Sequence, residues 1–140
     1  MITSASRGLD ELLALLDSRG LPKAVATSTE RRQAAAQLGG LGLLERFNVI
    51  ATGDEVRNGK PAPDLFLLAA HRLGMKPSQC LVLEDSEAGV IAAHRAGMHV
   101  WVVPDLKPPS RAVGELTQDR FDSLVAVEKQ MRRLLAASPD

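Results

Sequence analysis

The sequence predicts an α/β fold, a parallel β-sheet with helices on both faces. Short apolar runs alternate along the chain with segments whose leucines and alanines recur at helical spacing. Such alternation implies right-handed crossovers and a parallel sheet. The strand candidates are apolar and β-branched, as strands buried on both sides must be. The 140 residues, 45% of them hydrophobic, suit one domain over 1–140 with a real core.

Leu9, Leu12, Leu13, Leu15 and Leu16 share one helical face, opposite Asp10, Glu11 and Asp17, and Gly20 fits the stop. "KAVATS" reads as a strand. "TERRQAAAQLGGLGLLERF" reads as a helix broken at Gly39-Gly40, and "NVIAT" as a second strand. A polar loop, "GDEVRNGKPAP", leads to the helix "DLFLLAAHRLG", with Pro63 and Asp64 suited to its first turn. "CLVLE", "SEAGVIAAHRAG" and "HVWVVP" read as strand, helix and strand. "DLKPPSRAVGEL" reads as a loop, because Pro108-Pro109 bars a regular helix. "FDSLVAVEKQMRRLLAA" returns to helical spacing through Leu124, Val127, Met131, Leu134 and Leu135.

Seventeen Lys plus Arg balance seventeen Asp plus Glu, so the formal charge is zero. Basic runs are limited to "ERRQ" and "MRRL". Charge therefore gives no case for nucleic acid or an anionic membrane surface. No apolar run approaches the about 20 residues of a membrane span, and "MITSASRG" has no signal-like apolar core. The lone Cys80 allows no internal disulfide, which fits a reducing, cytoplasmic setting. Cys80 is expected to be a buried small side chain rather than a reactive thiol. His71, His94 and His99 lack metal-ligand spacing and are assigned to surfaces; Trp101 is assigned to the core. The glycines of "LGGLGLL" follow no strand and match no dinucleotide loop.

In parallel sheets of this kind ligands bind at the carboxyl ends of the strands. There the sequence places Thr27, Ser28 and Thr29, then Asp54, Glu55 and Lys60, then Glu84, Asp85 and Ser86, then Pro104 and Asp105. Hydroxyls and helix-start N–H groups suit phosphate oxygens, and a lysine is a compact positive charge. Adjacent carboxylates are hard oxygen ligands of the sort Mg²⁺ prefers. Each group also has a structural reading. Ser28 or Thr29 would serve as a helix cap, Lys60 as a solvated loop lysine, and Glu84-Asp85 as charges at a helix N-terminus.

"AVATST", "GDEVRNGKPAPDLF" and "CLVLEDSEAGVIAAHRAGM", in that order, resemble the haloacid dehalogenase-like hydrolases. The similarity runs from about Leu9 to Pro104 and is strongest to phosphatases and sugar-phosphate mutases related to β-phosphoglucomutase. The "GKPAPD…LEDSEAG" pair carries most of its specificity; "ATST" alone is weak. The resemblance implies a Rossmann-like core. It also implies phosphoryl transfer through an aspartyl-phosphate, Mg²⁺ as cofactor of the intact site but weakly held or absent in this chain, and a small phosphorylated metabolite as substrate. By the same resemblance Ser28 and Lys60 match catalytic groups. Ser28, Thr29 and Lys60 match phosphate binders, and Asp85 and Glu84 match the acidic pair at the metal, with Asp85 the more dependable ligand.

The family's nucleophile is the first aspartate of an Asp-x-Asp pair ending a central strand, and no Asp-x-Asp occurs in these residues. The helical cap and the acid/base aspartate have no counterpart either. Asp105 matches a later element and has no partner aspartate. The expected fold thus lacks the central first strand, leaving about 9–10 Å between "KAVATS" and "CLVLE". "MITSASRG" is too short and polar to fill it. Direct pairing of the flanking strands, self-association, a missing N-terminal segment or water would have to satisfy those edges. The expectation is a C-terminal core portion of a hydrolase, or a truncated product, inactive alone. The alternative is a non-catalytic phosphate- or metal-binding or assembly module. A receiver-like or dinucleotide-binding domain would leave "GKPAP" without a role and lacks the glycine fingerprint.

Overall fold

The computed structural model describes residues 8–103, 119–121 and 123–137. The expected loop "DLKPPSRAVGEL", the strand-end residues Pro104 and Asp105, and residues 1–7 of "MITSASRG" lie outside them. The alternation predicted from sequence is observed. Helix α1 (Leu9–Ser18) precedes β1 (Ala24–Thr27), followed by α2 (Arg31–Gly40), β2 (Val49–Thr52) and α3 (Asp64–Leu73). Strand β3 (Leu81–Glu84), α4 (Glu87–Arg95), β4 (His99–Val102), β5 (Asp119–Arg120) and α5 (Leu124–Ala137) complete the order. All strand pairs are parallel.

Three details depart from the sequence reading. Gly39 and Gly40 lie inside α2, and the break follows at Leu41-Gly42. A fifth strand, β5, pairs Asp119 with Trp101 and Arg120 with Val102. Two residues are too few to show a period, so pattern reading could not find it. The last helix starts at Leu124 rather than Phe121. Phe121 instead packs at a tilt against buried Trp101, 4.8 Å between ring centroids, and the Ser123 hydroxyl accepts from the Ala126 N–H.

The strands form two blocks, β1-β2 and β3-β4-β5, and no hydrogen-bonded strand joins them among the described residues. Direct pairing of the strands flanking the expected gap is therefore not how the sheet closes. Burial follows this division. Val100, Trp101 and Val102 of β4 are buried, whereas all four residues of β1 are only half-buried. An uninterrupted sheet would bury its middle strands most deeply.

Side chains from the helices hold the two blocks together. Leu9 and Leu13 of α1 pack with Leu38, Leu43, Val25 and Ile50 over β1-β2. Leu12, one step round the same helix, packs with Trp101 and Val127 over β3-β4, and Leu16 joins that cluster. The i, i+3, i+4 stripe is thus wide enough to cover both blocks. Leu124 of α5 joins both clusters. On the opposite face Phe66 and Ala70 of α3 share a cluster with Val82, Val90, Ala93 and Val100, and Ala26 of β1 packs against it. Gly74 ends α3 at φ 69°, with the Met75 N–H closing on the Ala70 carbonyl at 3.0 Å.

Leu13 is 2% exposed, so Leu13→Ala removes its methyl groups from a site with little room to relax. The expected cost is about 2–5 kcal/mol. Urea unfolding monitored separately in each block should give one shared, lowered midpoint. A loss confined to β1-β2 would show that α1 does not couple them.

Candidate functional site

Lys60 ends the loop after β2, and its side chain is 11% exposed. It is therefore not the solvated loop lysine of the structural reading. Its Nζ donates to the Ala26 carbonyl of β1 at 3.2 Å and to Glu84 Oε2 of β3 at 3.1 Å. The Phe66 ring lies 4.9 Å from the same nitrogen, measured to its centroid. One ammonium thus touches both sides of the divided sheet at its carboxyl end. Apolar burial would oppose that charge without the carboxylate partner.

Glu84 is the last residue of β3 and is buried. Its Oε1 accepts from the Asp85 N–H, the Ser86 N–H and the Ser86 hydroxyl at 3.0–3.2 Å. Ser86 is the N-cap of α4 and accepts from the Gly89 N–H at 3.0 Å. Glu84 thereby satisfies donors at the start of α4, as the helix-terminus reading anticipated, and holds Lys60 as well. A Cβ on Gly89 would lie 2.0 Å from Glu84 Cδ, so the helix must carry glycine where it crosses this carboxylate. Asp85 is exposed at the mouth of the same strand end.

Ser28 and Thr29 follow β1, with Ser28 exposed. Neither caps α2. The N-cap position is Glu30 and makes no side-chain cap. The Arg31 N–H donates instead to Asp54 Oδ1 at 3.0 Å, and the same oxygen accepts from the buried Thr52 hydroxyl at 2.7 Å. The Thr52 hydroxyl, then burial in the opposite sense, then the Arg31 N–H set the Asp54 pKa, with a net lowering. Glu55 pairs directly with Arg31 and Arg72, and its carboxyl is lowered, chiefly by Arg31. Both guanidiniums also donate to the Ile50 carbonyl, at 2.7 and 2.9 Å. Sequence reasoning placed Asp54 and Glu55 on this loop without these roles, because Arg31 lies 23 and 24 residues from them and leaves no local pattern.

Ser28, Lys60, Glu84 and Asp85 all stand at the carboxyl ends of strands, where the sequence put them. Pro104 and Asp105 lie outside the described residues. His71, His94 and His99 are exposed and Trp101 is 5% exposed, both as assigned. Cys80 is half-buried rather than buried; burial pushes its thiol pKa up, which disfavours the reactive thiolate.

Adjacent carboxylates are oxygen donors of the right kind for Mg²⁺. Both Glu84 oxygens, however, already accept hydrogen bonds from protein. Among the described residues no group of three His, Cys, Asp or Glu could hold a metal ion. The chain's donors fit Mg²⁺ in chemistry but do not by themselves complete its coordination. No helix among the described residues is long and apolar enough to cross a membrane.

Residues 2–103 match the haloacid dehalogenase-like hydrolase family. YhcW of Bacillus subtilis is 38% identical over 124 residues, covering 89% of this chain and 56% of its own. The phosphorylated carbohydrates phosphatase of Thermotoga maritima is 43% identical over 91 residues, covering 65% of this chain and 42% of its own. The crystal structure of CbbY from Rhodobacter sphaeroides in complex with phosphate superimposes with a TM-score of 0.79 at 32% identity. It covers 87% of this chain and 55% of that one. The chain spans about half the length of the curated relatives it matches.

Glu84→Ala leaves the buried Lys60 ammonium without its carboxylate. The expected loss is about 3 kcal/mol, typical of breaking one side of a buried pair. Lys60→Met should cost a similar amount, and the double variant less than the two added together. Strict additivity in denaturant unfolding would show that the two do not act as a pair.

Proposed function

The chain belongs to the haloacid dehalogenase-like hydrolase family, and on that premise we propose that it supplies the core portion of a Mg²⁺-dependent phosphatase or sugar-phosphate mutase. The observation that carries this reading is the buried Lys60 ammonium, held at the carboxyl end of the sheet between β1 and β3. A positive charge fixed there, with its side chain 11% exposed, is prepared for an anion that arrives between the strands. Ser28, exposed at the end of β1, offers a hydroxyl to a phosphate oxygen, and Thr29 lies beside it. Asp85, with Glu84 behind it, would hold Mg²⁺, which when bound supplies charge neutralisation on the phosphoryl oxygens. The chain's own share is to bind and orient the phosphoryl group and to offset its charge.

The attacking aspartate is not among these 140 residues, which contain no Asp-x-Asp. In our reading it arrives on a further strand that fits between β1 and β3; its carboxylate attacks the phosphorus as the ester P–O bond breaks and the substrate's alcohol leaves, giving the aspartyl-phosphate, and it would add to the metal ligands. The substrate class is a small phosphorylated metabolite. Relatives named as a fructose-1-phosphate phosphatase and a phosphorylated carbohydrates phosphatase support a sugar phosphate. The lone cysteine and the balanced charge fit a cytoplasmic protein with no nucleic-acid or membrane partner. A non-catalytic assembly module is the second reading. The full engagement of both Glu84 oxygens and of Lys60 within this chain favours it.

A chromogenic phosphate ester with Mg²⁺ separates these readings. The chain alone should show no turnover. Mixed with the N-terminal part of a relative carrying an Asp-x-Asp strand, it should turn over the ester in a manner lost in Asp85→Asn. A folded, stable pair with no activity would favour the assembly module. Turnover by the chain alone, abolished by Asp85→Asn, would place the nucleophile within it.

A further inference from the structure

Asp54 belongs to none of the assigned phosphate or metal groups, yet it sits where the two phosphate-side loops meet. Its Oδ1 accepts the Arg31 N–H at the start of α2 and the hydroxyl of Thr52, which is 0% exposed. Helix α2 has no side-chain cap of its own, so this carboxylate serves as a cap delivered from the neighbouring strand end. Beside it, the Gly53 N–H donates to the Thr29 carbonyl at 3.1 Å. The backbones are so close that a Cβ on Gly53 would stand 2.2 Å from the Ser28 carbonyl oxygen. Within the first loop the Thr29 N–H donates to Thr27 Oγ1 at 3.2 Å. The Gly53-Asp54 turn therefore grips Thr29 and Arg31, the residues that follow Ser28. Lys60 ends the same segment six residues on.

We propose that Asp54 is the positioning residue for Ser28, fixing the loop after β1 against the loop that carries Lys60. It acts through geometry. One oxygen, held from below by Thr52, sets the start of α2, and the Gly53–Thr29 bond follows from that placement. The proposal rests on the reading of Ser28 as a phosphate-binding hydroxyl. Asparagine offers the same acceptor oxygen without the charge, and alanine offers none.

The test uses the whole chain, with amide NMR spectra of wild type, Asp54→Asn and Asp54→Ala. In Asp54→Ala the Arg31 amide should exchange roughly ten-fold faster or more, the size expected when a bond to a charged acceptor is lost, and the Gly53 amide should exchange faster with it. The Ser28 and Thr29 resonances should move with it. Asp54→Asn should keep Gly53 exchange within about two-fold of wild type. Titration with inorganic phosphate should shift Ser28 at the same concentration in wild type and Asp54→Asn, and at roughly ten-fold higher concentration in Asp54→Ala. Unchanged Gly53 exchange and phosphate response in Asp54→Ala would overturn the proposal. So would an Asp54→Asn protein that behaves like Asp54→Ala. A Gly53 and Ser28 response in Asp54→Ala, with no phosphate shift in any of the three, would refute the phosphate reading and leave the positioning role supported.

Discussion

The shared ammonium of Lys60 is the constraint on which the rest of the structure depends. Among the described residues no hydrogen-bonded strand joins β1-β2 to β3-β4-β5, and the carbonyl of Ala26 accepts from the Lys60 side chain. The same nitrogen reaches Glu84 at the end of β3. A buried charge is tolerated only when paired and hydrogen-bonded, so Glu84 must stay in place. Its other oxygen is fixed by the Asp85 and Ser86 backbone, and Gly89 is there because any side chain would collide with it. One electrostatic contact thus sets the sequence of the "LEDSEAG" segment at several positions.

Apolar packing does what the sheet hydrogen bonds do not. Helix α1 places Leu13 on one block and Leu12 on the other, and α3 and α4 bridge the opposite face through Phe66, Ala26 and Val82. The divided sheet and its site are two aspects of one arrangement. Ser28, Glu84 and Asp85 stand at the carboxyl ends of β1 and β3, and Lys60 joins β1 to Glu84. The split leaves β1 half-buried along its length.

Much of this was legible in the sequence because it is periodic or local. The leucine spacing of α1, the β-branched strands and the "GKPAPD…LEDSEAG" order placed the elements and the strand-end residues. The absence of Asp-x-Asp led to the expectation of a gap between "KAVATS" and "CLVLE"; among the described residues those two strands do not pair. What escaped is what depends on distance through space. Asp54 caps a helix 23 residues earlier, and nothing in "GDEV" signals that. The structural reading of Ser28 and Thr29 as caps failed for the same reason, since the cap came from another strand. The loop-lysine alternative for Lys60 failed because the side chain is enclosed beside Phe66, Ala26 and Glu84, which are distant in sequence. Strand β5 was invisible because two residues carry no pattern.

Backbone amide exchange at Ala26 tests the divided sheet most directly. In a strand the N–H and C=O of one residue point to the same side, so the Ala26 amide should face the split beside the carbonyl that Lys60 holds. Val102 pairs with Glu84 and Arg120 on its two flanks. The Ala26 amide is expected to exchange roughly a hundred-fold faster than that of Val102, through local rather than global opening. Equal protection of the two amides would mean that β1 is paired on its inner edge, and would contradict the arrangement on which the half-site rests.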